Sequence, residues 1–173
     1  MKIEKGTNCH IEEIESLYNE LNDYLDAHIN YPGWKKGIYP IKETAIKGIQ
    51  EGNLYVMKDG NHIAGTVILR REQEMAYSKV DWKIHLDAED ILVIHTFAVH
   101  PAYLKKGIGK KIMDFIIEHS KAMNIKAIRL DVYEKNQPAI SLYRKYDFAY
   151  IDTVDLGYSE YGLENFELYQ KLL

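Results

Sequence analysis

The sequence is poor in cysteine and lacks any long apolar run. Its single cysteine, Cys9, cannot form an intrachain disulfide, and we interpret it as a small residue because it lies outside the motifs described below. No stretch of about 18 apolar residues is present, and no charged-then-apolar segment opens the chain, so neither a membrane span nor a signal peptide is predicted. We therefore expect a cytoplasmic protein without a membrane partner.

An excess of charge of one sign is also missing. The 22 basic and 26 acidic residues leave a formal net charge of -4, which disfavours a surface for nucleic acid or anionic lipid. Hydrophobic residues make up 46% of the 173 residues, enough to bury a core, and no repeat, low-complexity tract or linker interrupts them. Residues 1–173 are therefore predicted to form a single domain.

Hydrophobic periodicity predicts an α/β order of elements. A short strand at Lys2–Lys5 precedes an amphipathic helix with apolar residues from Ile11 to Leu25, and a second helix covers about Ile41–Gln50. The later strands are predicted at Asn53–Lys58, His62–Arg70, Ile91–Val99, Ala127–Val132, Ala149–Val154 and Glu164–Leu172. Two further helices are predicted, one directly after Gly107 and one from about Pro138.

The most distinctive motif is a buried strand that leads through a glycine turn into an amphipathic helix. The strand Ile91–Val99 is apolar and β-branched, the turn contains Gly107 and Gly109, and helical spacing follows at once. Free amides and the macrodipole favour an anion at a helix N-terminus, and glycine lets phosphate oxygens approach the backbone. Four lysines surround the turn: Lys105, Lys106, Lys110 and Lys111. The motif predicts a pyrophosphate site; a tight connection with a solvated lysine face is the alternative.

A second motif follows the strand Ala127–Val132. Its pattern is Asn136-x-x-Ala-x-x-Leu-Tyr143-x-x-x-x-Phe148. Together with Val99-His-Pro-Ala-Tyr-Leu-Lys-Lys-Gly-Ile-Gly109, and separated from it by a helix and a strand, this motif resembles the acetyl-CoA-binding half of the GNAT superfamily of N-acetyltransferases. The resemblance covers Ile91–Phe148 by motif and the rest of the chain by the order of elements.

The resemblance implies a fold and a cosubstrate. The fold is the GNAT fold, an α/β fold with a mixed central β-sheet flanked by helices on both faces, and the cosubstrate is acetyl-CoA, with no metal. The loop amides would hold the pyrophosphate, the strand backbone would pair with the pantetheine arm, and Asn136 would bond the pantetheine or the nearby chain. The implied cofactor-binding residues are Phe97, Ala98, Val99, Leu104, Lys105, Lys106, Gly107, Ile108, Gly109, Lys110 and Asn136.

The sequence departs from the family pattern at two places. Relatives usually carry Gln or Arg where this chain has Leu104, so we expect a weaker ionic contribution to cofactor binding. They usually carry glycine where this chain has Asp147. Because aspartate tolerates a left-handed conformation better than most residues, we expect the second departure to matter little.

The chemistry of acyl transfer points to candidate catalytic residues. An attacking amine must lose a proton and the departing thiolate must gain one. The resemblance implies that Tyr143 is the general acid. Many relatives carry a glutamate base at the position of Val93, which this chain lacks. His95, on the same strand face by the period of two, is the first candidate base; Asp131 and water are the others, and His95 could equally be satisfied by its sheet neighbours.

Two loops are candidates for the acceptor side. In the family the segment between the first two helices usually borders the acceptor pocket, and here it carries Tyr31, Trp34 and Tyr39 as candidate substrate-binding residues. These aromatics could equally pack the loop onto the sheet or form a dimer contact. The second loop, Glu72–Asp90, is acidic and contains Trp82. It could present carboxylates to an amine, but we expect it to be a solvated excursion.

The leading hypothesis is an acetyl-CoA-dependent N-acetyltransferase acting on a primary amine of a small molecule. A protein α-amine or lysine acetyltransferase is the alternative within the same chemistry. A non-catalytic acyl-CoA-binding sensor is the alternative from another class. The sequence leaves the oligomeric state open, including a homodimer paired through the aromatic strand near Leu163–Leu172.

Overall fold

The computed structural model describes all 173 residues, and its elements follow the predicted order. The helices are α1 (Ile11–Ala27), α2 (Lys42–Gln50), α3 (Ile108–Ala122) and α4 (Gln137–Lys145). The strands are β1 (Lys2–Lys5), β2 (Leu54–Asp59), β3 (His62–Arg70), β4 (Ile91–Val99), β5 (Ala127–Tyr133), β6 (Ala149–Val154) and β7 (Phe166–Leu172). None of the helices combines the length and apolar character needed to cross a membrane.

The strands form one seven-stranded sheet in the order β1-β2-β3-β4-β5-β7-β6. Strands β1 and β3 pair with β2 in antiparallel fashion, and so do β5 and β6 with β7. Strands β4 and β5 are parallel, which requires a crossover connection, and α3 provides it. The predicted mixed sheet with flanking helices is therefore confirmed.

The chain divides into two compact units. The first comprises Met1–Asn30, Trp34–Leu69 and His95–Ile116. The second comprises Tyr31–Gly33, Arg70–Ile94 and Ile117–Leu173. Boundaries between the units fall inside β3, β4 and α3, so each of these elements contributes residues to both units.

The core of the first unit is built on the apolar stripe of α1. Its buried members on α1 are Ile14, Leu17, Tyr18, Leu21 and Leu25, and they cluster with residues of α2, β2 and β3 and with Ala98. Close packing also depends on Gly65 of β3. A Cβ at Gly65 would lie 2.9 Å from the Ala98 carbonyl oxygen and 2.9 Å from Ile112 Cδ1, so a larger residue would force this region apart.

The core of the second unit includes aromatic residues of the acidic loop Glu72–Asp90, which was expected to be solvated. Tyr77 and Trp82 are only 2% and 7% exposed and cluster with Ile91, Val93 and Leu168. Short 3-10 helices at Met75–Lys79 and Ala88–Asp90 shape the segment. Its acidic residues Glu72, Glu74, Asp81, Asp87 and Glu89 are exposed, as expected. The prediction of a solvated excursion was wrong for the aromatic residues, because burial of their large apolar area outweighs the polarity of the segment.

Candidate active site

The turn between β4 and α3 has the backbone conformation that an anion-binding turn needs. The chain leaves β4 through a 3-10 turn at Pro101–Tyr103 and adopts positive φ at Lys105 (61°) and Gly107 (79°) before α3 begins. A Cβ on Gly107 would meet no atom within 4 Å, so the space beside this residue is open. Gly107 adopts a positive φ readily because it has no Cβ, whereas nothing in the sequence signals the positive φ of Lys105, since lysine seldom adopts this conformation.

The amides of this turn are available to a ligand. Those of Lys105, Gly107, Ile108 and Gly109 donate to no backbone carbonyl, as expected where the first turn of a helix has no preceding turn. The four lysines of the turn are exposed. Open amides, an open glycine and surrounding positive charge fit a pyrophosphate group.

Strand β4 contains a strained residue next to the candidate base. Thr96 has a φ of 38°, an unfavourable region for a β-branched residue, and is 7% exposed. Its Oγ1 lies 2.5 Å from the hydroxyl oxygen of Tyr39, and this hydrogen bond stabilises the conformation. His95, Phe97 and Val99 are partly exposed, whereas Ala98 is buried. Nothing in the sequence signals the role of Thr96, because it depends on a partner 57 positions away.

The structure brings together only two of the three candidate acceptor residues in one unit. Trp34 and Tyr39 lie in the first unit, edge to face with ring centroids 5.6 Å apart. Trp34 packs against the core cluster of that unit, so the packing role considered for this loop applies to it. The backbone carbonyls of Trp34 and Tyr39 accept hydrogen bonds from the side-chain amides of Asn30 (2.7 Å) and Asn22 (3.3 Å). Tyr31 belongs to the second unit.

Helix α4 is fixed at both ends, and this positions Tyr143. At its start, Asn136 Oδ1 accepts a hydrogen bond from the Ala139 amide at 3.4 Å. At its end, Asp147 adopts a φ of 60° and the Phe148 amide donates to the Tyr143 carbonyl at 3.1 Å. Asp147 thus adopts the left-handed conformation that aspartate tolerates, in agreement with the expectation that this departure matters little. Asn136 acts as a helix cap through its oxygen, and its contact with pantetheine stays a prediction.

The Tyr143 side chain lies in an aromatic environment. It is 6% exposed, and its ring centroid is 5.8 Å from that of Phe148 and 6.5 Å from that of Tyr169. Burial raises the pKa of the Tyr143 hydroxyl, and the negative charge of Asp131 raises it further. The hydroxyl therefore holds its proton throughout the neutral pH range.

Asp131 of β5 has a hydrogen-bonded carboxylate. The Tyr77 hydroxyl donates to its Oδ2 at 2.6 Å. Removal from water raises the pKa of Asp131 to about 6, the Tyr77 hydrogen bond opposes the rise and the charge of Glu74 adds to it. At neutral pH the group is mostly ionised but close to its titration range, which suits a general base. Val93, where relatives have a glutamate, is fully buried.

The predicted site residues are distributed over both units. His95, Phe97, Ala98, Val99 and the turn Leu104–Lys110 belong to the first unit. Asp131, Asn136 and Tyr143 belong to the second, where Asp131 and Tyr143 are close enough to interact electrostatically. Sequence reasoning missed Tyr77, the partner of Asp131, because it lies in a segment expected to be solvated.

Comparison with known families decides the assignment. The family model described as "Acetyltransferase (GNAT) family" matches residues 14–148, a range that includes both motifs and most of the chain. The chain belongs to the acetyltransferase (GNAT) family. Members of the GNAT family are enzymes that use acetyl-CoA as cosubstrate. The open amides of the turn after β4 fit that cosubstrate.

Solved structures of other GNAT proteins share the fold. An acetyltransferase of the GNAT family from Streptococcus agalactiae 2603 aligns with a TM-score of 0.80 at 21% identity, over 99% of this chain and 95% of the other. The ribosomal-protein-alanine N-acetyltransferase from Brucella melitensis aligns with a TM-score of 0.74 at 14% identity, over 100% of both chains. Both likenesses concern the fold alone.

One curated sequence relative matches over part of the chain. The UPF0157 protein YqkA of Bacillus subtilis (strain 168) is 36% identical over 63 residues. This stretch is 36% of the present chain and 18% of YqkA. The chain therefore matches less than a fifth of that relative's length.

The raised pKa of Asp131 predicts a pH-dependent stability. The folded value of about 6 exceeds the ordinary 3.8, so the folded state binds this proton more tightly and loses stability as pH rises from about 4 through about 6. Asp131→Asn keeps an acceptor for Tyr77 but cannot ionise. Denaturant unfolding should show that the free energy of unfolding of wild type, relative to this variant, falls by about 2 kcal/mol between pH 4 and pH 7.

Asp87→Asn is the matched control, because Asp87 is an exposed aspartate of the same unit. The pH-dependent change measured with Asp131→Asn should exceed the change measured with Asp87→Asn. Equal changes in the two variants would contradict the raised pKa of Asp131.

Proposed function

We propose that the protein transfers the acetyl group of acetyl-CoA to a primary amine of a small molecule, with Tyr143 as general acid. Membership in the GNAT family and the open amides of Lys105, Gly107, Ile108 and Gly109 support the use of acetyl-CoA. The catalytic part is supported by the buried Tyr143 hydroxyl, whose pKa is raised by burial and then by the charge of Asp131. The proton donor and the candidate proton acceptor both belong to the second unit.

Each of these residues has a separate role in the proposal. Acetyl-CoA supplies the acetyl group as a thioester when it is bound. Asp131 takes a proton from the attacking amine, and Tyr143 gives its proton to the sulfur as the carbon–sulfur bond breaks. Because the charge of Asp131 raises the pKa of Tyr143, protonation of Asp131 removes that effect and makes Tyr143 a better donor. Uptake of the amine proton therefore assists delivery of the other proton.

We use the same geometry to rank the candidate bases, with Asp131 first. Asp131 lies in the same unit as Tyr143, has a hydrogen-bonded orientation and titrates close to neutral pH. His95 is partly exposed and lies on β4 beside the strained Thr96, and it remains the second candidate. Water is the third.

The acceptor is proposed to be a small molecule because the aromatic loop of the first unit is anchored at several points. Asn22, Asn30 and Thr96 all hold residues of this loop in place. The fold likeness to ribosomal-protein-alanine N-acetyltransferases makes a protein α-amine the second candidate acceptor. A cytoplasmic location and a homodimer remain sequence-based predictions within this proposal.

Removing one hydroxyl tests the general acid. Tyr143→Phe keeps the ring and its packing, so we expect kcat for acetylation of an amine to fall by about 10²-fold or more while the Kd for acetyl-CoA changes less than about twofold. Steady-state kinetics and calorimetry measure the two quantities. Tyr161→Phe, a change at an exposed tyrosine, should alter neither. Wild-type kcat in Tyr143→Phe would remove Tyr143 from the mechanism.

The pH dependence of the rate identifies the base. If Asp131 accepts the proton, kcat/KM should rise as pH increases through about 6, since only the ionised carboxylate is a base. Asp131→Asn should lose this limb of the profile and His95→Ala should keep it. The reverse pattern would assign the proton transfer to His95, and an unchanged limb in both variants would assign it to water.

A further inference from the structure

Arg129 of β5 is a buried cation surrounded by neutral groups. The residue is 5% exposed. Its Nε donates to Gln170 Oε1 at 2.9 Å, and its Nη1 donates to Gln73 Oε1 at 2.7 Å. The guanidinium carbon lies 3.9 Å from the centroid of the Trp82 ring. Every one of these partners is uncharged.

No carboxylate oxygen lies within 4.0 Å of the guanidinium nitrogens, so Arg129 takes part in no ion pair. Burial lowers the pKa of Arg129 to about 10. A buried charge is costly unless it is paired, and buried arginines in proteins generally have a carboxylate or phosphate partner. The missing partner distinguishes Arg129 from an ordinary structural arginine.

The hydrogen bonds of Arg129 leave part of the guanidinium available. Of its five N–H groups, the Nε–H and one N–H of Nη1 are used. One N–H of Nη1 and both N–H groups of Nη2 have no protein acceptor. Neighbouring N–H groups on two nitrogens match the two oxygens of a carboxylate.

A cavity of about 830 Å³ adjoins this group. Arg129, Gln73 and Trp82 are among its lining residues, and the exposed side chains of Glu74 and Asp81 also line it. Asp81 is paired with Lys83 at 2.6 Å, whereas Glu74 has no ion pair. Lys83 lines the cavity as well, so its lining carries charge of both signs, and this favours a ligand that carries one anionic group together with a cationic one.

We infer that this cavity binds the carboxylate of the amine acceptor through Arg129, which makes the acceptor an amino acid or a similar amine with a carboxylate. The inference rests on the proposed function for the identification of the ligand as acceptor. The carboxylate pairs with Nη1 and Nη2 of Arg129, and Glu74 faces the ammonium group. Gln170 and the Trp82 ring hold the guanidinium in the required orientation.

Paired ligands test this inference without catalysis. The probes are glycine, β-alanine, 4-aminobutyrate and 5-aminovalerate, each compared with its primary carboxamide by calorimetry and thermal shift. We expect at least one acid to bind at least about tenfold more tightly than its amide. Equal binding of acid and amide across the panel, or no binding of any acid, would overturn the proposal.

Gln73→Glu sharpens the test because it supplies the missing counter-ion from within the protein. The new carboxylate would occupy the place of the Gln73 oxygen, 2.7 Å from Nη1, and should abolish the preference for the acid. Gln73→Met, of similar length and uncharged, should keep the preference. Arg129→Lys keeps the charge but not the paired N–H groups, and should reduce the preference at least about fivefold. Circular dichroism checks that each variant is folded.

The readouts separate this inference from the proposed function. An acid preference in binding that Gln73→Glu abolishes, without acetylation of any amine, would uphold the carboxylate site and contradict the enzymatic role of its ligand. Acetylation of amines with no acid preference would uphold the proposed function and contradict the site. A preference that survives in Gln73→Glu would contradict the role of Arg129.

Discussion

The organisation of the second unit depends on two charges carried by β5. Arg129 and Asp131 alternate with the buried Ile128, Leu130 and Val132, and their own side chains meet the segment that precedes β4. Each charge makes one hydrogen bond with a neutral group of that segment: Tyr77 donates to the carboxylate, and Gln73 accepts from the guanidinium. The segment is therefore folded onto the sheet by hydrogen bonds to charged groups as well as by the burial of Tyr77 and Trp82.

In this arrangement, different residues hold the local structure and carry the charges that are available for chemistry. Tyr77 orients Asp131, and its backbone carbonyl accepts from the Trp82 ring nitrogen at 2.9 Å, so one residue fixes both the carboxylate and the aromatic ring that covers Arg129. The two charges are left partly unsatisfied and retain capacity for a proton or an anion. In the first unit, the turn after β4 also leaves hydrogen-bonding groups available. These groups are backbone amides, and they donate to no backbone carbonyl because a helix begins there.

Local signals explain what the sequence predicts well. Strand bounds follow from runs of β-branched residues, Gly107 supplies the positive φ of the turn, Pro138 opens α4, and Asp147 ends it. What escaped prediction depends on distant partners. Thr96 needs Tyr39, Asp131 needs Tyr77, and Arg129 needs Gln73 and Gln170, and no spacing rule connects residues 41 to 57 positions apart. The candidate site was therefore predictable as motifs, whereas its electrostatics required the tertiary structure.

The central claim is that the turn after β4 holds acetyl-CoA for transfer to an amine. A calorimetric titration of the protein with acetyl-CoA, with CoA alongside, tests it most directly. The account predicts saturable one-site binding of both ligands in the micromolar range, because the pyrophosphate contacts are common to both. Absence of heat together with absence of thermal stabilisation by either ligand would contradict it.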